Sequence, residues 1–466
     1  MFSNQETFTT KRKALRINLQ PDIYGTLAEI GGGQEVARSF FQAGGASGTV
    51  AKSISAYDKT FSDVLYNKNQ SGRYVSSDRL KLMLKKEFQE LVDILQPQKD
   101  RSTKFFAFAN TVETLNFKKT NQGHGWMGVR FQITPFSEPN EVIIHVRLLE
   151  NDSILQQYTL GALGVNLIYA CFNFVNYPNK FLLSLMDNLS NDRVDINMIE
   201  MHGPDLDYVD NRLLSVQLVK NNMTKATIFG PQGNIMQPSD VFYKKNLIVY
   251  RGKFRPITKV GEDIIKASIN LFKKDKNYKE GNTLTVCEIT LNNLIESGNF
   301  DERDFLDRVD ILNSLGFNVM ISSFREFYKL SSYLTKFRLN RIRMVVGAPM
   351  FKNIFNKKYY TNLKGGILEA FGALFQENVK LYVYPSKCND KIITTENIEV
   401  EESVKYLYKH IKNIRKAIDI TDFKEENLDI NSAEVLEAIH KKEEGWENKV
   451  SKTVAEKIKT KHLFDY

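Results

Sequence analysis

Between residues 194 and 385, short apolar runs closed by small or polar residues recur: VDINMIEM, KATIF, NLIVY, LTVCEITL, FNVMIS, RIRMVV and VKLYVY. Most are separated by segments whose apolar residues repeat at helical spacing. Over residues 301–315, Phe305, Leu306, Val309, Leu312 and Leu315 form one stripe. Acidic residues crowd that segment's first turn and Gly316 follows its end, which are helix start and stop signals. Further helices are expected over 212–220 and 324–337 and in GGILEAFGALF. The alternation predicts a Rossmann-like α/β fold, a mainly parallel sheet with flanking helices, and such sheets bind ligands at the carboxyl ends of their strands.

Upstream the period changes. Residues 1–13 read as a mobile polar arm, and Gly31, Gly32 and Gly33 precede a helix over 34–43. Leu80, Leu84, Phe88, Leu91 and Leu95 mark a longer helix that Ser77 can cap and Pro97 ends. KFFAFANTV, WMGVRFQI and EVIIHVRLL predict an antiparallel meander, with His124 and Trp126 in the glycine-rich loop NQGHGWMG. The apolar segment DSILQQYTLGALGVNLIYACF predicts a central helix whose Gly161 and Gly164 permit close packing, and a shorter helix follows over 181–189. Four regions result: a mainly helical one over 1–103, a meander with apolar helices over 104–190, the α/β array over 191–390 and a charged helical tail over 391–466.

Composition narrows the class. A chain of 466 residues exceeds one ordinary core, and 42% hydrophobic residues suffice for packed domains. A net charge of +9 from 64 basic and 55 acidic residues is a mixed surface, which argues against a nucleic-acid partner. The lysine-rich tail reads first as a solvated helix face, and only secondarily as an RNA or ribosome contact. Cys171, Cys287 and Cys388 form no CxxC pair, and the first two sit in apolar runs as small buried hydrophobes, as expected in a reducing cytoplasm. No apolar signal core follows the N-terminus, and residues 160–175, interrupted by Asn166 and Asn173, are too short to span a membrane.

Candidate chemistry gathers at the predicted strand ends. Gly203, Gly230 and Gly347 suit strand-to-helix turns. Arg212, Arg251, Arg255 and Arg325 suit phosphate, and Asp205 and Asp207 suit a proton, a sugar hydroxyl or Mg²⁺. His124 is the candidate general base, with the indole of Trp126 free to stack on a base or sugar. Gly31, Gly32 and Gly33 can bring backbone N–H groups to an anion, although the stretch lacks both the Walker and the GxGxxG spacing.

The phrases ALRINLQPDIYGTLAEIGGGQEVARSFF, HGWMGVRFQ, EVIIHV, GPDLDYVDNRLLS and GGILEAFGALF followed by VKLYVYP resemble a family of bacterial cytosolic proteins over nearly the whole chain. Members carry the names TonB-dependent receptor or nicotinate-nucleotide adenylyltransferase. The residues support neither: there is no run of alternating membrane strands, and GHGW lacks the second histidine of an HxGH turn. The leading expectation is a phosphorylated metabolite or nucleotide at the sheet edge, whether or not a reaction follows. The alternative is a non-catalytic scaffold that forms a homo-oligomer.

Overall fold

Two sheets with separate cores organise the chain, one in each of the units Met1–Thr224 and Lys225–Tyr466. The computed structural model describes residues 7–67, 72–96, 102–276, 278–295, 298 and 300–466. Pro97 lies outside them. Among the described residues no helix is long and apolar enough to cross a membrane.

The first unit holds strands β1 (Ile23–Gly31), β2 (Val50–Ile54), β3 (Lys104–Glu113), β4 (His124–Phe131), β5 (Asn140–Leu148) and β6 (Val194–His202), in the order β2-β1-β3-β4-β5-β6. Its helices are α1 (Thr10–Asn18), α2 (Glu35–Ala43), α3 (Lys59–Tyr66), α4 (Ser77–Leu95), α5 (Ser153–Asn173), α6 (Pro178–Leu185) and α7 (Asn211–Lys220). The meander of β3, β4 and β5 is antiparallel as expected. Helix α5 lies within the core, where Leu160, Leu163, Leu167 and Ile168 are fully buried and each contributes roughly 2 kcal/mol. Gly161 and Gly164 bring it against Glu35 and Val36 of α2. Helix α4 covers the other face through Phe88 and Leu91, and its cap is the Ser76 hydroxyl, one residue before the expected Ser77.

Three expectations need correction here. The run at 194–202 is not the first strand of the α/β array: β6 pairs antiparallel with β5 and closes the first sheet. The region 1–103 holds α1 to α4 and also two strands, with β1 parallel to both β2 and β3 and β1-α2-β2 a parallel crossover. The short alternation in IYGTLAEI is masked in sequence by its buried glutamate and glycine. Residues 10–13 belong to α1, not to an arm. Lys13 is 1% exposed, ion-pairs with Asp187 at 2.6 Å and donates to Asn166 Oδ1 at 3.0 Å. Finally, His124 and Trp126 stand on β4 rather than in a loop.

The second unit contains strands β7 (Ala226–Phe229), β8 (Ile235–Met236), β9 (Asn246–Arg251), β10 (Thr283–Thr290), β11 (Asn318–Ser322), β12 (Arg341–Gly347), β13 (Val379–Tyr384), the small hairpin β14 (Ser386–Cys388) and β15 (Lys391–Ile393), and β16 (Ala417–Asp419). The large sheet runs β16-β13-β12-β9-β10-β11-β7-β8. From β16 to β11 every pairing is parallel, whereas β7 joins antiparallel and forms a hairpin with β8. KATIF is therefore an antiparallel strand between β11 and β8 of this sheet and not a parallel βα unit with VDINMIEM. Counted in chain order from β9, the parallel strands stand 3-2-1-4-5-6, the arrangement of doubly wound nucleotide-binding sheets. The chain leaves β9 toward β10 on one side and returns to place β12 on the other, so the switch point lies between β9 and β12.

Helices α8 (Pro238–Phe242), α9 (Lys259–Lys273), α10 (Leu291–Leu294), α11 (Glu302–Ser314), α12 (Phe327–Leu334), α13 (Ala348–Ile354), α14 (Gly366–Leu374) and α15 (Lys405–Asn413) connect these strands. Asp301 caps α11 through Arg303 N and Asp304 N, the start that the acidic turn indicated. The tail forms α16 (Ser432–His440) and α17 (Lys452–Lys461), and its end docks on the same unit: Leu463 and Phe464 are buried, and Phe464 N donates to Asp307 at 2.6 Å. Lys441, Lys449, Lys459 and Lys461 face Glu437, Glu434, Glu447 and Asp310, as on a solvated, ion-paired helix surface.

Candidate functional site

A cleft of about 410 Å³ opens at the switch point of the second sheet. The end of β9 and the turn after it supply Arg251, Gly252 and Lys253, the end of β10 and α10 supply Thr290, Asn292 and Asn293, and the segment after β11 supplies Arg325, Glu326 and Phe327. Met350, Asn353 and Ile354 of α13, with Tyr359 and Tyr360 beyond it, form the opposite, largely apolar wall. Of the residues singled out at the predicted strand ends, Arg251 and Arg325 line this cleft, and the pattern did not separate a residue that is open to it from one that builds its wall.

Arg251 builds the wall. Its Nε and Nη2 donate to Glu288 at 2.8 and 2.9 Å, its Nη1 donates to the Arg325 carbonyl, and its guanidinium lies 4.4 Å over the Phe327 ring. Glu288 is fully buried and also accepts from Ser322 Oγ at 2.5 Å. With every edge engaged, Arg251 neutralises a buried carboxylate and cannot turn to a phosphate without leaving that charge unpaired, at a cost of several kcal/mol. Arg325 is different: it is exposed at the cleft, and among the described residues its guanidinium makes no ion pair.

Arg255 lies away from this cleft, in a smaller polar crevice of about 250 Å³, where Asp304 pairs with both Arg255 and Arg308. Gly347 ends β12 and caps α13, and an added Cβ would meet Pro349 Cδ at 3.8 Å, an ordinary contact. Gly230 turns the β7–β8 hairpin, its N–H bonded to Asn234 O, and is not a strand-to-helix turn of the parallel sheet.

The remaining candidates belong to the first unit. Asp205 is held by Asn140, whose Nδ2 donates to it at 2.8 Å, and Asp207 is exposed beside it. Arg212 pairs with Asp210, the cap of α7, at 2.8 Å. Gly203, at φ 138°, packs on the Asn140 backbone where a side chain would collide. This cluster is a braced turn after β6. Among the described residues no group of three or more His, Cys, Asp or Glu comes together to hold a metal, and Asp205, Asp207 and Asp210 do not form one.

The glycine turn after β1 also differs from its expectation. Glu29, 2% exposed, accepts from Ala37 N at 2.8 Å and Val36 N at 3.4 Å, so a protein carboxylate already occupies these helix-start donors. Burial pushes Glu29 up to about 7, against the hydrogen bonds from Ala37, Asn110 and Val36. Gly33 lies against the Asn110 side chain. Gly31 and Gly32 instead line a cavity of about 760 Å³ at the carboxyl ends of β1 and β3, together with His124. Trp126 is buried edge-on against His145, its ring centroid 4.7 Å away, and does not face the cavity as a stacking platform.

Pattern reading missed Phe327, Tyr359 and the two asparagines at the β10 end, which carry no motif, and it set His145 aside as an ordinary strand residue. Strand pairing alone brings His145 to His124. No family model matches the chain, and no curated protein matches it. Among solved structures, competence/damage inducible protein CihA from Agrobacterium tumefaciens is 14% identical and covers 38% of this chain and 94% of its own, with a TM-score of 0.24, too low a likeness to argue from.

Proposed function

We propose that the second unit binds a phosphorylated metabolite or nucleotide in the cleft between the ends of β9, β10 and β12. The observation that carries this reading is the position of an arginine-bearing cleft at the switch point of a 3-2-1-4-5-6 sheet. Arg325 supplies the charge for the phosphate, the carboxamides of Asn292, Asn293 and Asn353 suit hydroxyl groups, and Tyr359 with Met350 offers the apolar wall a planar ring needs. Arg251 contributes by holding Phe327 and the Arg325 backbone in place.

The test is a thermal-unfolding titration with AMP and with ribose 5-phosphate, read on wild type and on Arg325→Ala. A ligand at about a hundred times its Kd adds about 2.7 kcal/mol, or about 5–10 °C in a unit of this size. Arg325→Ala is expected to abolish the shift while leaving the ligand-free transition in place. No shift with either compound contradicts the reading, as does an unchanged shift in the variant.

A further inference from the structure

At the edge of the second sheet opposite the cleft, positive charge collects without a counterweight. Strands β9, β12, β13 and β16 are parallel neighbours and all begin at this edge. The turns that feed them bring Lys244 to β9, Arg338 to β12 and Arg415 to β16, while Arg341 and Lys380 stand in the first residues of β12 and β13. Hydrogen bonds fasten these turns to one another. Lys244 N donates to the Arg338 carbonyl at 3.3 Å and Asn340 N to the Lys245 carbonyl at 2.8 Å. The carboxamides of Asn282 and Asn340 both donate to the Lys244 carbonyl, and that of Asn378 to the Leu339 carbonyl. Adjacent strands lie about 4.8 Å apart, so the row from β9 to β16 spans roughly 14 Å. The cleft occupies the carboxyl ends of the sheet, and the two places share no residue.

Lys244, Arg338 and Arg415 are exposed, Arg341 and Lys380 are half-buried, and among the described residues none of the five makes an ion pair. The charged tail differs, since Lys441, Lys449, Lys459 and Lys461 each face a carboxylate. The turns at this edge contribute the exposed Glu280 and Glu377, and Asp275 beside them is taken by buried Arg343 at 2.7 Å. The cations therefore act on one another. Burial, and then Arg343, Arg341 and Arg415, lower the pKa of Lys380 against the pull of Asp275. Lys416, whose Nζ donates to the carbonyls of Gln376, Glu377 and Val379, is lowered by burial, Lys380 and Arg343. Like charges gathered in this way destabilise the fold and concentrate anions at the surface. Beside the row Tyr243 is 48% exposed, with Lys244 Nζ 5.1 Å from its ring centroid. Lys244, and more weakly Arg338, hold its hydroxyl below the ordinary value.

We propose that this edge binds single-stranded nucleic acid, with Lys244, Arg338, Arg341, Lys380 and Arg415 on successive phosphates and a base stacked on Tyr243. A single row of cations suits one backbone, and guanidinium groups match phosphate oxygens in pairs. An exposed ring among cations serves unpaired bases, which a duplex keeps stacked inside and a lipid surface lacks. The chain-wide balance of 64 basic and 55 acidic residues averages over this edge, so composition gives no sign of it.

The experiment is fluorescence anisotropy of the full-length chain with labelled oligo(U) and oligo(dT) of about twelve nucleotides. Both are expected to bind, because they share the phosphate and the base faces. Five phosphate contacts predict a slope of log K against log salt of about −3.5, or about a hundredfold loss between about 50 and 200 mM salt. The combined Arg338→Gln, Arg341→Gln and Arg415→Gln variant is expected to bring the slope to about −1.4 and to weaken binding more than about tenfold. A matched Lys441→Gln, Lys449→Gln and Lys459→Gln variant removes the same charge from the ion-paired tail and is expected to stay within about twofold of wild type. Tyr243→Leu is expected to weaken binding about tenfold at an unchanged slope. Thermal unfolding verifies the fold of each variant, and Arg415→Gln alone, expected to flatten the slope by about 0.7, serves if the triple variant does not fold. The proposal is overturned by no binding of either oligonucleotide, by equal losses in the edge and tail variants, or by an affinity indifferent to Tyr243→Leu. A DNA duplex or a phosphatidylserine vesicle bound as tightly as the single strands overturns it as well.

Discussion

Glu29→Gln isolates the electrostatic cost of placing a carboxylate under the α2 helix. In the folded chain burial raises Glu29 from its ordinary 4.5 to about 7, so the folded state holds this proton more tightly than the unfolded state does. Well below 4.5 both states are protonated and the group makes no difference. As pH rises the unfolded chain ionises first and is favoured, so stability falls through the window from 4.5 to 7 and then levels off. The shift corresponds to about 3 kcal/mol in full, of which about 2.5 kcal/mol falls between pH 5 and pH 8. Trp126 is the tryptophan of the first unit and Trp446 that of the second, so a Trp446→Phe background lets fluorescence follow the first unit alone in urea. Wild-type stability is expected to fall by that amount relative to Glu29→Gln across the interval. Parallel pH dependences in the two proteins refute the reasoning, and a wild type that gains on the glutamine variant as pH rises reverses its sign.

Three further outcomes follow from burial and pairing. In the second unit Arg251→Ala strands the Glu288 charge and is expected to destabilise by about 3 kcal/mol, whereas exposed Arg325→Ala stays within about 0.5 kcal/mol in urea unfolding. Lys13→Ala leaves Asp187, Asn166 and Ser184 without their common donor, and a loss of about 3 kcal/mol is expected in the Trp126 transition. Of the three thiols, exposed Cys388 is expected to react with Ellman's reagent in the native protein. Cys171 and Cys287, whose thiols burial pushes up, react only after unfolding.

The parallel sheet was legible because its strands are continuous apolar runs and its connecting helices carry their own caps, as Asp301 and Gly316 show. The run upstream of that sheet misled for a physical reason. VDINMIEM is buried on both faces although its sheet partner is antiparallel, and run composition does not encode pairing direction. The site separated in the same way: the strand-end rule placed Arg251 and Arg325 at one cleft, but only the partner Glu288, far away in sequence, shows that one is structural and the other faces the cavity. His145 was beyond reach as a neighbour of His124 because their meeting depends on strand pairing. The internal Glu29 reversed the meaning of the glycine turn by occupying the donors an anion would use.

The most direct test of the proposed function is a crystal structure of the protein grown with AMP. The account predicts density for the nucleotide in the cleft between β9 and β12, with the phosphate on Arg325 and the base against Tyr359. An empty cleft with AMP bound elsewhere, or a phosphate seated away from Arg325, contradicts it.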